Sequence, residues 1–345
     1  MPRPLVAECA FSTNNLSFSM RSLRRSFWLT ILGCAANLLP LAAQADEPTI
    51  RIVVAGDIML DCLPGKVIER GEDPFAPFAE VLADADYTVG NLECIVATTG
   101  NAVKKPYTFR AHPRCIPLLT KHFDALSIAN NHTGDFGDEA FVEQLKLLRE
   151  AKMPVFGGGH NLAEAHQPLV VDIKGIRVAF LGYNEFKPRS FEAGIDSPGI
   201  AWSVDEQVLE DIAKVRKEQK PDLVIPYMHW GWEMETEPND RQKEFSRKMI
   251  DAGADAVIGA HPHCTQGTDV YRDKLIVYSL GNFVFDDFEP GIGRRGWVLR
   301  LTLDRKGVRN WETVVADIDD EGTPHPNLEE KSPRGSFSPS AKRAE

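Results

Sequence analysis

Apolar runs that stop abruptly at a group of polar residues recur along the chain. Residues 49–55 (Thr-Ile-Arg-Ile-Val-Val-Ala) read as a strand halted at Gly56-Asp57, and residues 87–89 as a second strand before Gly90-Asn91-Leu92-Glu93. Residues 125–129 precede Asn130-Asn131-His132, and residues 223–228 precede His229. Residues 254–258 lead into Gly259-Ala260-His261-Pro262-His263, and residues 274–280 into Gly281-Asn282-Phe283. Short continuous apolar runs of this kind fit strands buried on both faces. Helical periodicity fills the gaps: 73–84, opened by Asp73-Pro74; 113–123; 138–150, with Phe141, Leu145 and Leu148 on one face; 203–219; and 241–252. Ser203 and Glu206 predict a capping box at the start of 203–219. Hairpins are predicted around Lys174-Gly175 and Lys306-Gly307. The alternation of strands and helices predicts one α/β domain over residues 46–320.

Three stretches break the pattern. Residues 95–112 and 184–200 lack periodicity, and long irregular loops inside a compact domain are commonly functional. Pro226, inside an apolar run, predicts a bulge or an edge position for that strand. Residues 321–345 are rich in proline, serine and charge and are expected to be a disordered tail.

The N-terminus has a different organisation. From Met20, the expected true start, Arg21, Arg24 and Arg25 precede an apolar stretch from Phe27 to Leu41, and Ala43-Gln44-Ala45 follows. A basic region, an apolar region and an A-x-A site in that order predict an export signal over residues 1–45, cleaved before Asp46. The expected destination is the periplasm or the extracellular face. Export permits disulfides among Cys62, Cys94, Cys115 and Cys264, with three pairings open. The formal net charge is −11, and residues 1–45 hold four arginines against one glutamate, so the remainder is more acidic still. That balance argues against nucleic-acid partners, which select a basic footprint.

In an open α/β sheet, ligands bind beyond the carboxyl ends of the strands, and the polar groups collect there. His261 and His263, one residue apart where the backbone leaves a strand, can turn toward one point. Imidazole mixed with the oxygens of Asp57, Glu93 and Asn131 suits Zn, Mn or Fe better than Ca or Mg alone. Lys104, Lys105, Arg110 and Arg114 cluster with Tyr107, Phe109 and His112, which suits an anionic ligand. Of the aromatics Trp230, Trp232, Phe283 and Phe285, the phenylalanines are expected in the core.

The order Gly56-Asp57, Asn91-Leu92-Glu93, Asn130-Asn131-His132, His229-Trp230-Gly231 and Gly259-Ala260-His261-Pro262-His263 resembles the calcineurin-type metallophosphoesterases. With Tyr107-Thr108-Phe109-Arg110-Ala111, Gly157-Gly158-Gly159-His160-Asn161-Leu162 and Tyr278-Ser279-Leu280-Gly281-Asn282-Phe283, it resembles their capsule-synthesis branch, the CapA or poly-gamma-glutamate biosynthesis proteins, over about residues 50–285. The resemblance implies a two-sheet β-sandwich flanked by helices, in four layers α/β/β/α. It implies one or two divalent ions: the first held by Asp57 and His263, a second by Asn131, His229 and His261, with Glu93 bridging. It implies His132 as the positioned acid, and Arg110, Asn91 and Asn282 as substrate-binding residues. This sequence departs from the wider superfamily at Met59, where that superfamily has a metal-binding histidine, and at Asn91, where it has an aspartate.

The function implied is metal-dependent synthesis or processing of poly-gamma-glutamate or a related capsule polymer, beside membrane synthase subunits, by metal-bound hydroxide. A stand-alone periplasmic phosphoesterase acting on phosphate esters, and a non-catalytic polymer-binding assembly component, are the alternatives.

Overall fold

A computed structural model of the protein describes residues 47–286 and 288–337. The export segment expected over residues 1–45 lies outside the described residues, as do residues 338–345 of the expected tail.

Two sheets stack face to face. The larger has nine strands, running Pro324–Asn327, Gly307–Ile318, Arg295–Asp304, Ile50–Ile58, Tyr87–Leu92, Ala125–Ser127 and Val155–Phe156. Asn282–Val284 pairs with Ile50–Ile58, and Arg334–Ser336 with Gly307–Ile318. The smaller has six strands, ordered Thr268–Tyr271, Lys274–Val277, Ala256–Ala260, Leu223–His229, Ile176–Asn184 and Leu169–Ile173. The apolar run from residue 274 onward therefore serves both sheets: Lys274–Val277 belongs to the smaller and Asn282–Val284 to the larger. Gly281, at φ 68°, takes the turn between them.

Strand alternation explains why the central runs are apolar throughout. Ile50, Ile52 and Val54 meet Val178, Phe180, Ile225 and Ile258 between the sheets. Val53 and Ala55 point the other way, into a cluster with Phe75, Phe78, Leu119, Phe141 and Leu148. On the far side, Val224, Met228, Val257 and Ile276 pack on Ile212, Val215, Phe245 and Met249 of the helices Asp205–Glu218 and Asp240–Ala252. Each fully buried aliphatic or aromatic side chain contributes about 1.5–3 kcal/mol of transfer free energy. The layers run α/β/β/α, the architecture the resemblance implied. Tyr227 also joins the sheets directly, its hydroxyl donating to Ala55 O at 2.9 Å.

Local expectations fail where side-chain hydrogen bonds override the pattern. The helix expected over 73–84 is a 3₁₀ turn, Ala76–Phe78, and a short helix, Ala79–Ala83. The Asp73 carboxylate accepts the Phe75 N–H at 3.0 Å and holds the chain in a turn first. Ser203 is not a cap; its hydroxyl donates to Glu185 Oε2 at 3.3 Å, and the helix begins one residue after Val204. The capping box lies instead at Asn239 and Gln242, opening Asp240–Ala252. Helix Cys62–Glu69 was not anticipated.

Pro226 sits neither at a bulge nor at an edge. Its strand is interior and keeps register with Ile176–Asn184 throughout. The registered pairs with Ala256–Ala260 begin at Tyr227, and Asp255 closes the ladder's start by donating its N–H to Val224 O (2.8 Å) and accepting the Val224 N–H (2.9 Å). The tail is ordered further than composition suggested, because Pro324–Asn327 and Arg334–Ser336 both pair with Gly307–Ile318.

The irregular stretch 95–112 is tethered at its start by helix Gly137–Glu150. Glu143 accepts the amides and hydroxyls of Thr98 and Thr99 at 2.6–2.9 Å. Burial alone would raise the Glu143 carboxyl, but these four donors hold it down at about 2. A depressed carboxyl stabilises the fold above its unfolded value of about 4.3 and loses that contribution as pH falls toward the folded value. The stability gap between the parent and Glu143→Gln is expected to be constant near neutrality and to close between pH ~4.3 and about 2. Chemical denaturation across that range measures it, and a gap independent of pH would remove the charged tether.

Candidate metal centre

The strand ends place the polar residues in register. Asp57 aligns with Asn91 on one side and Asn282 on the other within the larger sheet. In the smaller sheet His229 aligns with Ala260, so that His261 follows at the next position. Glycines permit the close approach. A Cβ at Gly56 would sit 2.0 Å from Gly281 O, and that carbonyl accepts the Asp57 N–H at 3.0 Å. A Cβ at Gly259 would meet Tyr278 O at 2.0 Å. His261 (φ 97°) and His263 (φ 55°) both occupy the left-handed region. For non-glycine residues this costs of order 1–3 kcal/mol each, a strain typical of functional sites.

The side chains converge from both sheets. Asp57 Oδ1 accepts from Asn91 Nδ2 (2.8 Å), and its Oδ2 from the His261 N–H (3.1 Å). His229 Nδ1 lies 3.2 Å from Asn91 Nδ2, while its Nε2 lies 2.7 Å from Asn131 Oδ1 and 3.1 Å from His261 Nδ1. Glu93 Oε1 stands 3.4 Å from His229 Nε2 and 3.8 Å from His263 Nε2. His263 Nδ1 meets Asn282 Oδ1 at 2.9 Å, which leaves Nε2 turned toward the cluster.

Burial raises the Asp57 and Glu93 carboxyls well above the ordinary carboxylate range, and at Asp57 the nearby Glu93 adds to the effect. Burial also depresses the imidazoles: His229 to about 4, His263 to about 3, and His261 well below its usual value. All three histidines are therefore neutral near pH 7, the form that binds metal.

These residues fit a divalent cation. Both Glu93 oxygens and His261 Nε2 are buried with no hydrogen-bond partner, each an omission costing about 1–3 kcal/mol or more. Two sets of ligand atoms lie within 4.8 Å of one another: Asp57, Glu93 and His229, and Glu93, His261 and His263. Glu93 is common to both. The pairings expected from the resemblance are close contacts as well: His263 Nδ1 lies 3.8 Å from Asp57 Oδ2, and His229 Nε2 lies 3.1 Å from His261 Nδ1. Asn131 touches His229 directly.

Other expectations change more. Asn91 and Asn282 are fully buried and spend their amides on Asp57 and His229, and on His263 and Gly293 O, so they orient cluster residues rather than face a substrate. The Arg110 guanidinium donates to Thr99 O and Gly100 O at 3.2 Å and lies 4.2 Å from the Phe136 ring, which makes it a brace for its loop. Arg114 pairs with Glu69, so the basic residues around 105 do not form one patch. Met59 is buried in the helix-side core with its sulfur accepting the Asp61 N–H at 3.2 Å. The thiols of Cys94, Cys115 and Cys264 are free and buried. Phe283 and Phe285 are core residues as expected, as is Trp230, whereas Trp232 is 61% exposed.

His132 is nearly buried, and its Nδ1 lies 2.7 Å from Asp135 Oδ2. Asp135 Oδ1 in turn binds Lys105 Nζ at 2.6 Å, and Lys105 also reaches Asn131 O at 2.8 Å. Burial lowers the His132 pKa, against the pull of Asp135. Sequence reasoning passed over Asp135, although its i+3 spacing from His132 was visible, and it assigned Lys105 to a basic cluster for an anionic ligand, whereas Lys105 is paired with Asp135.

The protein is thus a four-layer α/β/β/α sandwich that carries a carboxylate–imidazole–amide cluster at its strand ends. Residues 51–287 match the family described as bacterial capsule synthesis protein PGA_cap, and the chain belongs to that family. It is 31% identical over 306 residues to the PGA biosynthesis protein CapA of Bacillus subtilis, covering 83% of this chain and 78% of that one. It is 30% identical over 297 residues to the capsule biosynthesis protein CapA of Bacillus anthracis, covering 81% and 70%. Among solved structures it aligns with the Haemophilus influenzae NAD nucleotidase at 11% identity and a TM-score of 0.45, covering 81% of this chain and 54% of that one.

Replacing His229 by alanine removes an imidazole in contact with Asn131, His261 and Glu93. Affinity for Mn or Zn is expected to fall about tenfold or more, since even residues that only support metal ligands are worth that much. Metal titration of the purified protein checks this, and unchanged affinity and stoichiometry would remove His229 from the metal centre.

Proposed function

We propose that the protein is an exported, metal-dependent component of poly-gamma-glutamate or related capsule-polymer synthesis and processing. The observation that carries the metal part is the pair of unpartnered Glu93 oxygens beside His261 Nε2, buried among His229, His263 and Asp57. The relatives' names and the family match support the polymer part. Asp57, Glu93, Asn131, His229, His261 and His263 would hold one or two ions of Mn, Zn or Fe. When bound, such an ion supplies Lewis acidity and a water more acidic than bulk water.

The chain's own residues supply the rest. Asp135 takes the Nδ1 side of His132 and leaves Nε2 as the nitrogen that exchanges a proton with a reacting group. Lys105 holds Asp135 in place. Asn91 and Asn282 fix the orientations of His229 and His263. The basic–apolar–A-x-A order of residues 21–45 supports export with cleavage before Asp46. An exported domain would act beside membrane polymer-synthase subunits.

The test replaces the chromosomal copy with Glu93→Gln or His261→Ala in its native host and measures surface polymer together with the amount of folded protein. Polymer is expected to drop to the level of a strain lacking the protein, while folded protein persists and begins at Asp46. Undiminished polymer in both variants would overturn the metal-dependent role, and a retained presequence would replace export with anchoring.

A further inference from the structure

Beside the metal centre a cleft of about 430 Å³ opens between residues 103–107 and 186–191, with the nearly buried Asn131 and His132 among its lining. Both walls are segments without regular periodicity, and neither is needed to complete a sheet. The lining charge runs against that of the whole chain: Lys104, Lys105 and Lys187 face one carboxylate, Glu233. Lys105 is committed to Asp135. Lys104 and Lys187 are exposed, stand on opposite walls and have no ion pair among the described residues. The walls between them are aromatic. Tyr107 is 61% exposed, Phe191 lies below Lys105, and Phe186 packs 3.9 Å from the His261 ring.

This chemistry suits one class of ligand. A compact phosphate ester is best gripped by arginine's paired donors, and no arginine lines the cleft. Two separated ammonium groups are point charges that match anions spaced along a chain. The aromatic faces between them, exposed at Tyr107 and partly exposed at Phe186 and Phe191, match the amide and methylene backbone that would join those anions. We infer that this cleft is the polymer subsite: an extended poly-carboxylate chain lies on Tyr107, Phe186 and Phe191, its carboxylates reach Lys104 and Lys187, and its backbone is led to His132 and Asn131. The inference rests on the proposed role in polymer processing and adds where the polymer is held. Glu233, at the same cleft and close enough to act electrostatically on Glu93 and His229, opposes the ligand's charge.

The test is fluorescence anisotropy with a labelled gamma-linked glutamate decamer and the purified protein at low salt. The double variant Lys104→Ala/Lys187→Ala is expected to bind about fivefold or more weakly, from two exposed ion pairs each of ordinary strength. Glu233→Gln is expected to bind more tightly than the parent. The double variant Lys152→Ala/Lys217→Ala, which removes the same charge outside the cleft, is expected to match the parent. If the parent binds and the cleft variant binds equally well, or the outside variant loses as much, the cleft assignment falls and the proposed function stands. If the parent does not bind the decamer, both fall.

Discussion

Glu93 is wholly buried with neither oxygen hydrogen-bonded, in contact distance of two imidazoles. Left alone, that arrangement is unfavourable: a buried carboxylate without donors is driven toward protonation, and buried imidazoles are driven toward neutrality. The elements that hold the cluster together must therefore be stable for other reasons. The two inner sheet faces provide this, since Ile50, Ile52 and Val54 bury against Phe180, Ile225 and Ile258 a short distance upstream of the site. The same strands that are most apolar in their middles are the ones that carry Asp57 and His229 at their ends. A cation would convert the cost of burying Glu93 into a binding determinant, because it favours the charged carboxylate that the protein interior alone disfavours.

Neither sheet makes the centre alone. The larger contributes Asp57 and, from the turn after its Tyr87–Leu92 strand, Glu93; the smaller contributes His229 and the loop bearing His261 and His263. Tyr227, hydrogen-bonded to Ala55 O, and Gly281, whose carbonyl holds the Asp57 amide, both stand at the point where the sheets approach. Gly56 and Gly259 serve the same approach, since a methyl group at either would overlap a carbonyl oxygen. The glycines in these strand-end motifs are thus part of the geometry of the cluster although they contribute no side chain to it.

The strand-end residues were legible in the sequence because continuous apolar runs and their sharp polar stops are local signals. The four-layer architecture came with the family resemblance, not from periodicity. What stayed hidden depended on partners distant in the chain. Nothing near Asn282 or Asn91 signals that each would be consumed in orienting a histidine, and nothing near Ser203 announces that Glu185 would compete for its hydroxyl. Arg110 belongs to a family-like stretch, yet its partners Thr99 and Gly100 and the Phe136 ring make it a loop brace. Composition alone does not show the order of Pro324–Asn327 and Arg334–Ser336, which comes from pairing to Gly307–Ile318.

Loop order and site chemistry are linked through a single chain of contacts. Glu143 anchors Thr98 and Thr99, Arg110 ties the far end of the same loop back to Thr99 and Gly100, and Lys105 between them reaches Asp135. Asp135 also accepts the Phe109 amide at 2.7 Å, while the Phe109 ring packs at a tilt with its centroid 4.4 Å from that of His132. The histidine is thus held through its Nδ1 by an aspartate that is itself held by the loop forming one wall of the cleft. The loop that forms one wall of the cleft therefore also fixes the partner of the His132 ring. The irregular segment that periodicity could not classify thus joins helix Gly137–Glu150 to the ring of His132 through side-chain contacts that no local pattern in the sequence announces.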